Sequence, residues 1–244
     1  MSALTGKTAL ITGGATGIGW GIAKALAEAG CRVAITGRRE DKLHEAAATW
    51  TGTPPMLTHG VDVANRESVQ TLFAWAAKEL GQIDILVCSA GMNIKNRMLH
   101  EMRPEQWDEV MAVNVTGVYN CLYEVLPQMR ARKDGLIFIV SSVSGKRAAP
   151  LGGVAYNASK FAVTGLGTSA WGEESANGIR ITNIYPGEVD TPILEHRPQP
   201  VSEERRATML RPEDIGVLVA TIAQLPPHAH VPELVIKPTV QAYV

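Results

Sequence analysis

Residues 7–19 read KTALITGGATGIG, a short apolar run that passes straight into a glycine-rich turn. Residues 7–11 have the character of a buried strand. Ile18, Ile22, Ala25, Leu26 and Ala29 then recur at helical spacing, and Gly30 supplies the residue type that ends a helix. Strand, glycine turn and helix in this order set the free N–H groups of a helix N-terminus against any anion that enters the turn. The turn lacks the GK[ST] ending of a triphosphate-cradling loop, which disfavours ATP chemistry. A glycine turn used only for packing is the plainer alternative.

Outward from this stretch the alternation repeats. Apolar runs predict strands over 32–36, 56–61, 83–87, 136–140, 180–185 and 234–236. Helical spacing predicts helices over 40–50, 66–80, 154–176 and 212–224, and a long one from Pro104 to about 132 with a bend near Pro127. Short continuous apolar strands separated by helices read as a parallel sheet covered on both faces. The expectation is one α/β domain over 1–244, doubly wound, with about seven strands. Residues 188–211, with Pro192, Pro198 and Pro200, form the least regular stretch and read as a substrate-binding loop or lid.

Composition narrows the function. The chain has 244 residues and a hydrophobic fraction of 45%, enough for a full core. Its net charge of −1 argues against binding driven by nucleic-acid phosphates. Cys31, Cys88 and Cys121 form no CxxC pair, which argues against a disulfide framework or zinc ribbon and for a reducing, cytoplasmic setting. His228 and His230 lie in a Pro-rich turn with no acidic or Cys partner at ligand spacing, so no metal is expected. There is no apolar run of about 18 residues to span a membrane and no h-region of a secretory signal.

A second constellation is Tyr156-Asn157-Ala158-Ser159-Lys160. Tyr156 and Lys160 are four apart on a helix and share a face. A phenol titrates near ~10, and a neighbouring ammonium favours its phenolate. A tyrosine that lends and recovers a proton suits reduction of a carbonyl. The spacing alone is common in helices.

The glycine turn and the Tyr–Lys pair, at this separation, resemble the short-chain dehydrogenase/reductase family from Lys7 to the C-terminus. Asp62-Val63, Ala90-Gly91, Asn114 in VNVTG, Ser141-Ser142 and Pro186-Gly187-Glu188-Val189-Asp190-Thr191 match further family motifs. The resemblance implies a Rossmann-like sheet and hydride transfer between a nicotinamide and a substrate carbonyl. It implies that Tyr156 is the acid/base and that Ser142 holds the substrate oxygen. Lys160 binds the ribose and lowers the Tyr156 pKa, and Asn114 interrupts its helix and anchors a water. Gly13, Thr16, Gly17, Ile18, Gly19, Arg38, Arg39, Asp62, Val63, Ala90, Gly91, Tyr156, Lys160, Pro186, Gly187, Val189 and Thr191 line the cofactor. The sequence departs from the family pattern in three places. Cys88-Ser89 replaces two asparagines, and the spacing from Ser142 to Tyr156 is one residue longer than usual, which leaves Ser144 an alternative. Thr16 stands where many NADP-type relatives carry a basic residue.

Cofactor choice rests on Thr36-Gly37-Arg38-Arg39. NAD enzymes usually place an acid at the end of the second strand. Here Gly37 takes that place and Arg38 follows, which favours NADP(H) over NAD(H), with Arg38 on the 2′-phosphate. Leu225-Pro226-Pro227-His228, Glu233-Leu234, Pro238 and Gln241-Ala242-Tyr243 resemble the 3-hydroxy acid/serine dehydrogenase branch more weakly. The expected substrate is a small carbonyl or alcohol, a 3-hydroxy acid among them. A 3-oxoacyl thioester reductase, a sugar or polyol dehydrogenase, and a non-catalytic cofactor-sensing scaffold are the alternatives. Met92, Asn93, Lys95, Pro150, Leu151, Gly152, Glu188, Ile193 and Leu194 are the pocket candidates. A homodimer or homotetramer is implied, formed by the helices over 104–132 and 154–176, where Gly165, Gly167 and Gly172 suit close helix packing.

Overall fold

All five residues of β1 (Thr8–Thr12) are buried, and β1 is flanked on both sides by parallel partners. In the computed structural model, which describes residues 3–242, it is the third strand of a seven-stranded sheet. The others are β2 (Arg32–Gly37), β3 (Leu57–Gly60), β4 (Ile85–Cys88), β5 (Gly135–Val140), β6 (Ile179–Pro186) and β7 (Glu233–Ile236). Their order is β3-β2-β1-β4-β5-β6-β7, and every pairing is parallel. The chain winds outward from β1 to β3, then returns to β4 on the other side of β1. That reversal opens a crevice at the carboxyl ends of β1 and β4.

Helices cover both faces, as continuous apolar strands require. On one face α3 (Arg66–Leu80), α5 (Gly117–Arg132) and α6 (Val154–Glu174) bury Leu72, Phe73, Val125, Met129 and Val163. On the other, α1 (Gly17–Glu28) and α8 (Pro212–Ala223) bury Ile22, Leu26, Ile215 and Val219, and α2 (Glu40–Ala48) adds Leu43. The remaining helices are α4 (Pro104–Met111) and α7 (Glu203–Ala207). No helix among the described residues is long and apolar enough to cross a membrane.

At the foot of the sheet, just before β4, the buried carboxylate of Asp84 collects four donors. Its Oδ2 accepts from the Thr8 amide at 2.9 Å and the Thr8 hydroxyl at 3.2 Å. Its Oδ1 accepts from Lys7 Nζ at 3.2 Å and Gln82 Nε2 at 3.0 Å. Burial alone would raise its pKa, but the Thr8 amide and the Lys7 ammonium outweigh it and hold the carboxyl below its ordinary value.

Three expectations change. The helix expected from Pro104 to about 132 is not interrupted at Pro127, which lies inside a continuous α5. The carbonyl that Pro127 leaves without an N–H belongs to Tyr123, on the exposed side, where water serves it. The break comes earlier, in a π-turn over Ala112–Thr116 that swings Asn114 inward. Residues 188–211 are mostly loop but hold a 3-10 turn (Pro192–His196), α7 and a parallel bridge from Val189 to Leu210. Glu188 pairs with Arg197 at 2.8 Å and with Arg205, and Asp190 pairs with Arg206 at 2.7 Å and Arg211 at 3.3 Å. Finally, only Gly167 of the three α6 glycines is tightly packed, and against the sheet. A Cβ there would meet Ile139 at 2.9 Å, whereas Gly165 and Gly172 face open space within this chain.

Candidate active site

The crevice is a cleft of about 1130 Å³, larger than a small-molecule pocket of about 300–1,000 Å³. One wall is the turn between β1 and α1. Gly13 has φ +66°, and a Cβ there would stand 2.7 Å from the Ala90 amide nitrogen. A Cβ on Gly19 would overlap the Gly13 carbonyl oxygen. The turn therefore closes only with bare backbone at these two positions. α1 has no side-chain cap at Thr16 and no acidic residue in its first turn, so its N–H groups meet no anion of the chain's own. The glycine cradle and uncapped helix end fit a dinucleotide pyrophosphate.

The residues expected around a cofactor all line this cleft. They are Gly13, Thr16, Gly17, Ile18 and Gly19 from the first turn, Arg38 and Arg39 after β2, and Asp62 and Val63 after β3. Ala90 and Gly91 follow β4, Tyr156 and Lys160 stand on α6, and Pro186, Gly187, Val189 and Thr191 follow β6. Arg38 and Arg39 make no ion pair among the described residues. Asp62 caps its own turn through Ala64 N at 3.0 Å. Of the pocket candidates, Met92, Asn93, Leu151, Gly152, Glu188, Ile193 and Leu194 line the cleft, and Lys95 and Pro150 do not. Tyr243 lies outside the described residues.

At the inner end stand the groups suited to proton transfer. Tyr156, in the first turn of α6, and Ser142, just after β5, both line the cleft. Ser142 Oγ accepts from Ser144 N at 3.1 Å, which fixes its rotamer. A 3-10 turn over Val143–Gly145 takes up chain after Ser142, and Ser142 and Ser144 both line the cleft. Ser141 lies behind, bonded to the Lys160 carbonyl at 3.1 Å and to Thr164 Oγ1 at 3.0 Å. Asn114 does not line the cleft but braces it. Its Oδ1 accepts from Met92 N at 2.8 Å, and its Nδ2 donates to Met92 O and to Ser159 Oγ, each at 3.0 Å.

Lys160 is buried and donates to the Val140 carbonyl at 2.8 Å, with its Nζ 5.5 Å from the Tyr156 ring centre. Burial pulls its pKa down to about 8. The expectation that Lys160 depresses the Tyr156 pKa is corrected here. Burial pushes the Tyr156 phenol up, and the groups acting against it are Ser142 and Arg97. Arg97, a cleft residue that spacing did not single out, makes no motif and binds only main-chain carbonyls. Lys146 turns away from the cleft to Glu233 at 2.7 Å. His230 bonds the Ile181 carbonyl at 2.9 Å and packs its ring on Trp171.

A doubly wound sheet with a glycine cradle at its reversal and a Tyr–Ser–Lys group beside it defines an oxidoreductase of the dinucleotide-fold class. The chain belongs to the short-chain dehydrogenase/reductase family: the family model for short chain dehydrogenase matches residues 7–201. Oxidoreductase UcpA of Salmonella typhimurium is 38% identical over 237 residues, covering 91% of this chain and 89% of that protein. Glycine betaine reductase ATRR of Emericella nidulans is 33% identical over 96% of this chain, which spans only 19% of that longer protein. Among solved structures, the closed form of serine dehydrogenase complexed with NADP+ superposes with a TM-score of 0.88 at 27% identity, covering 97% and 96% of the two chains. An alcohol dehydrogenase from Thermococcus sibiricus complexed with 5-hydroxy-NADP gives 0.87 at 28% identity, covering 97% and 98%.

Proposed function

We propose that the protein transfers a hydride between a nicotinamide dinucleotide and a small carbonyl or secondary alcohol, with Tyr156 as acid and base. The observation that carries this reading is the convergence of Ser142, Tyr156 and Lys160 on the same glycine-cradled cleft. The nicotinamide, when bound, supplies or takes the hydride. The turn from Gly13 to Gly19 holds the pyrophosphate, Asp62 and Val63 face the adenine, and Pro186, Gly187, Val189 and Thr191 face the nicotinamide. Ser142 orients the substrate oxygen. Tyr156 gives that oxygen a proton in reduction and recovers it in oxidation. Lys160 takes the ribose, and Asn114 holds α6 and the main chain at Met92 in register, through Ser159 and Met92 itself.

NADP(H) is the preferred nucleotide. Gly37 leaves no acid to bind a 2′-hydroxyl, and Arg38 and Arg39 are unpaired cations on the cleft wall. The NADP complexes of the two superposed enzymes support this choice, and serine dehydrogenase supports a 3-hydroxy acid as substrate. Acetoacetyl-CoA reductase of Rhizobium meliloti, 34% identical over 89% of the chain, supports the thioester alternative.

The test is consumption of NADPH and NADH against oxo acids, acyl thioesters, sugars and neutral ketones. Turnover with NADPH on one group is the expected result, and no turnover with either nucleotide overturns the reading. Arg38→Ala should then cut the ratio of kcat/KM with NADPH to that with NADH by about 10- to 100-fold, the loss of one charge-assisted contact. An unchanged ratio would remove Arg38 as the phosphate reader.

The same reading includes self-association as a dimer or tetramer in a reducing, cytoplasmic setting. Tyr119 and Tyr123 of α5 and Phe161 of α6 are exposed aromatics, and Gly165 leaves open space beside them. Sedimentation should give a dimer or larger at micromolar concentration; a monomer would refute this part.

A further inference from the structure

Four charged side chains are buried among the described residues: Asp84, Arg97, Lys160 and Glu174. Asp84 has Lys7 at 3.2 Å, and Glu174 is gripped by Arg130. Lys160 belongs to the site already described. Arg97 is the fourth, and no carboxylate reaches it. Its guanidinium donates from Nε to the Ile94 carbonyl at 2.7 Å, from Nη1 to Leu151 at 2.6 Å and from Nη2 to His196 at 2.9 Å. These carbonyls come from three separate segments: the loop after β4, the turn before α6 and the 3-10 turn after β6. Three dipoles fix the guanidinium in place but do not neutralise it, and a buried charge is costly until an opposite one joins it.

Arg97 lines the cleft. A guanidinium has five N–H groups, and three are in use, which leaves one on each terminal nitrogen. Those two N–H groups are donors that an anionic ligand can take up. The surrounding charge agrees. Arg147 and Arg197 line the same cleft, against the acids Glu188 and Glu195. Glu188 is already shared between Arg197 and Arg205. The Arg97 main chain also meets the start of α6, its carbonyl accepting from Val154 N at 3.4 Å two residues before Tyr156, and Arg97 and Tyr156 line the same cleft.

We propose that Arg97 anchors a carboxylate of the substrate, so that the carbonyl reduced beside Tyr156 belongs to a short oxo acid. This deepens the proposed function and rests on it. A guanidinium serving only to staple three loops would show the same carbonyl bonds but no selectivity for charge.

The experiment compares acetoacetate and 2-oxobutanoate with their methyl esters, in the wild type, Arg97→Lys and Arg97→Met. The wild type should favour at least one acid over its ester in kcat/KM by about 10-fold or more. Arg97→Met should lower that acid-to-ester ratio by roughly 10- to 100-fold, and Arg97→Lys should restore part of it. A wild type indifferent to the charge, or a variant in which both substrates fall together with the ratio unchanged, overturns the proposal. Calorimetric titration of 3-hydroxybutanoate and its methyl ester into the wild type with NADP+ gives a second readout that survives misfolding of the variants. Binding of the acid alone supports the anchor; equal binding, or none, overturns it. Turnover of neutral ketones or sugars without the acids would overturn the anchor and leave the proposed function standing. Absence of all turnover would overturn the proposed function, with the titration still deciding Arg97.

Discussion

Replacing Tyr156 with Phe should lower turnover by about 10³-fold, within the range of general acid–base catalysis, and leave nucleotide affinity within a few-fold. The substitution removes one hydroxyl and keeps the ring that packs at the start of α6. What is lost is the proton donor beside Ser142. Stopped-flow measurement of nucleotide oxidation, with nucleotide binding followed separately, separates the two effects. Intact turnover would mean that another group supplies the proton. The pH dependence has a definite sign. Burial raises the Tyr156 pKa, so the phenol stays protonated through neutral pH. Reduction needs that protonated form and should be flat through neutrality, declining only on the alkaline side. Alcohol oxidation needs the phenolate and should climb with pH over the same range. The Phe variant should lose both profiles.

Asp84→Ala should cost about 1–3 kcal/mol of folding stability, the size of leaving a buried donor without its partner. Methyl replaces a carboxylate that accepts from the Thr8 amide and hydroxyl, Gln82 and Lys7; the Thr8 amide is then left buried and unpaired, while the Thr8 hydroxyl keeps the Gln82 carbonyl. The folded pKa of Asp84 lies below its ordinary value. Its contribution is therefore complete above the unfolded carboxylate pKa of ~3.9 and is lost as pH falls through the lower folded value. Urea titrations at neutral pH should show the full loss, and the gap between wild type and variant should close in strong acid. A gap independent of pH would place the effect in packing rather than in the charge.

Much of this architecture can be read from one sequence because the strands are buried on both faces and the helices on one. Continuous apolar runs and 3.6-residue spacing record that burial directly, as the bounds of α3 (Arg66–Leu80) show. The Tyr156–Lys160 pair is equally plain, since residues four apart on a helix must share a face. The electrostatics between them is not, because it depends on how deeply each sits. Lys160 spends its proton on the Val140 carbonyl, 20 residues away in the chain. The π-turn at Ala112–Thr116 leaves the apolar spacing almost undisturbed, while Pro127 draws attention to a point where α5 runs on uninterrupted. Arg97 is hidden for a different reason: its partners are main-chain carbonyls, and any residue can provide one. The order within 188–211 likewise depends on arginines meeting Glu188 and Asp190 across as many as 21 positions.

Those two acids follow directly on β6, so the strand itself carries the anchor points for the segment that covers the cleft. Arg197, Arg205, Arg206 and Arg211 fasten that segment from outside the stretch Pro192–His196 that meets the cleft. Of the four arginines, Arg205, Arg206 and Arg211 stay out of the cleft, whereas Arg197 both fastens the segment and lines the cleft. For engineering, Pro192–His196 is an exchangeable cassette: side chains there can be varied to reshape substrate range while the arginine fixings stay constant. A library confined to those five positions keeps the cover seated, and one that extends into the arginines trades a change of taste for a loose lid.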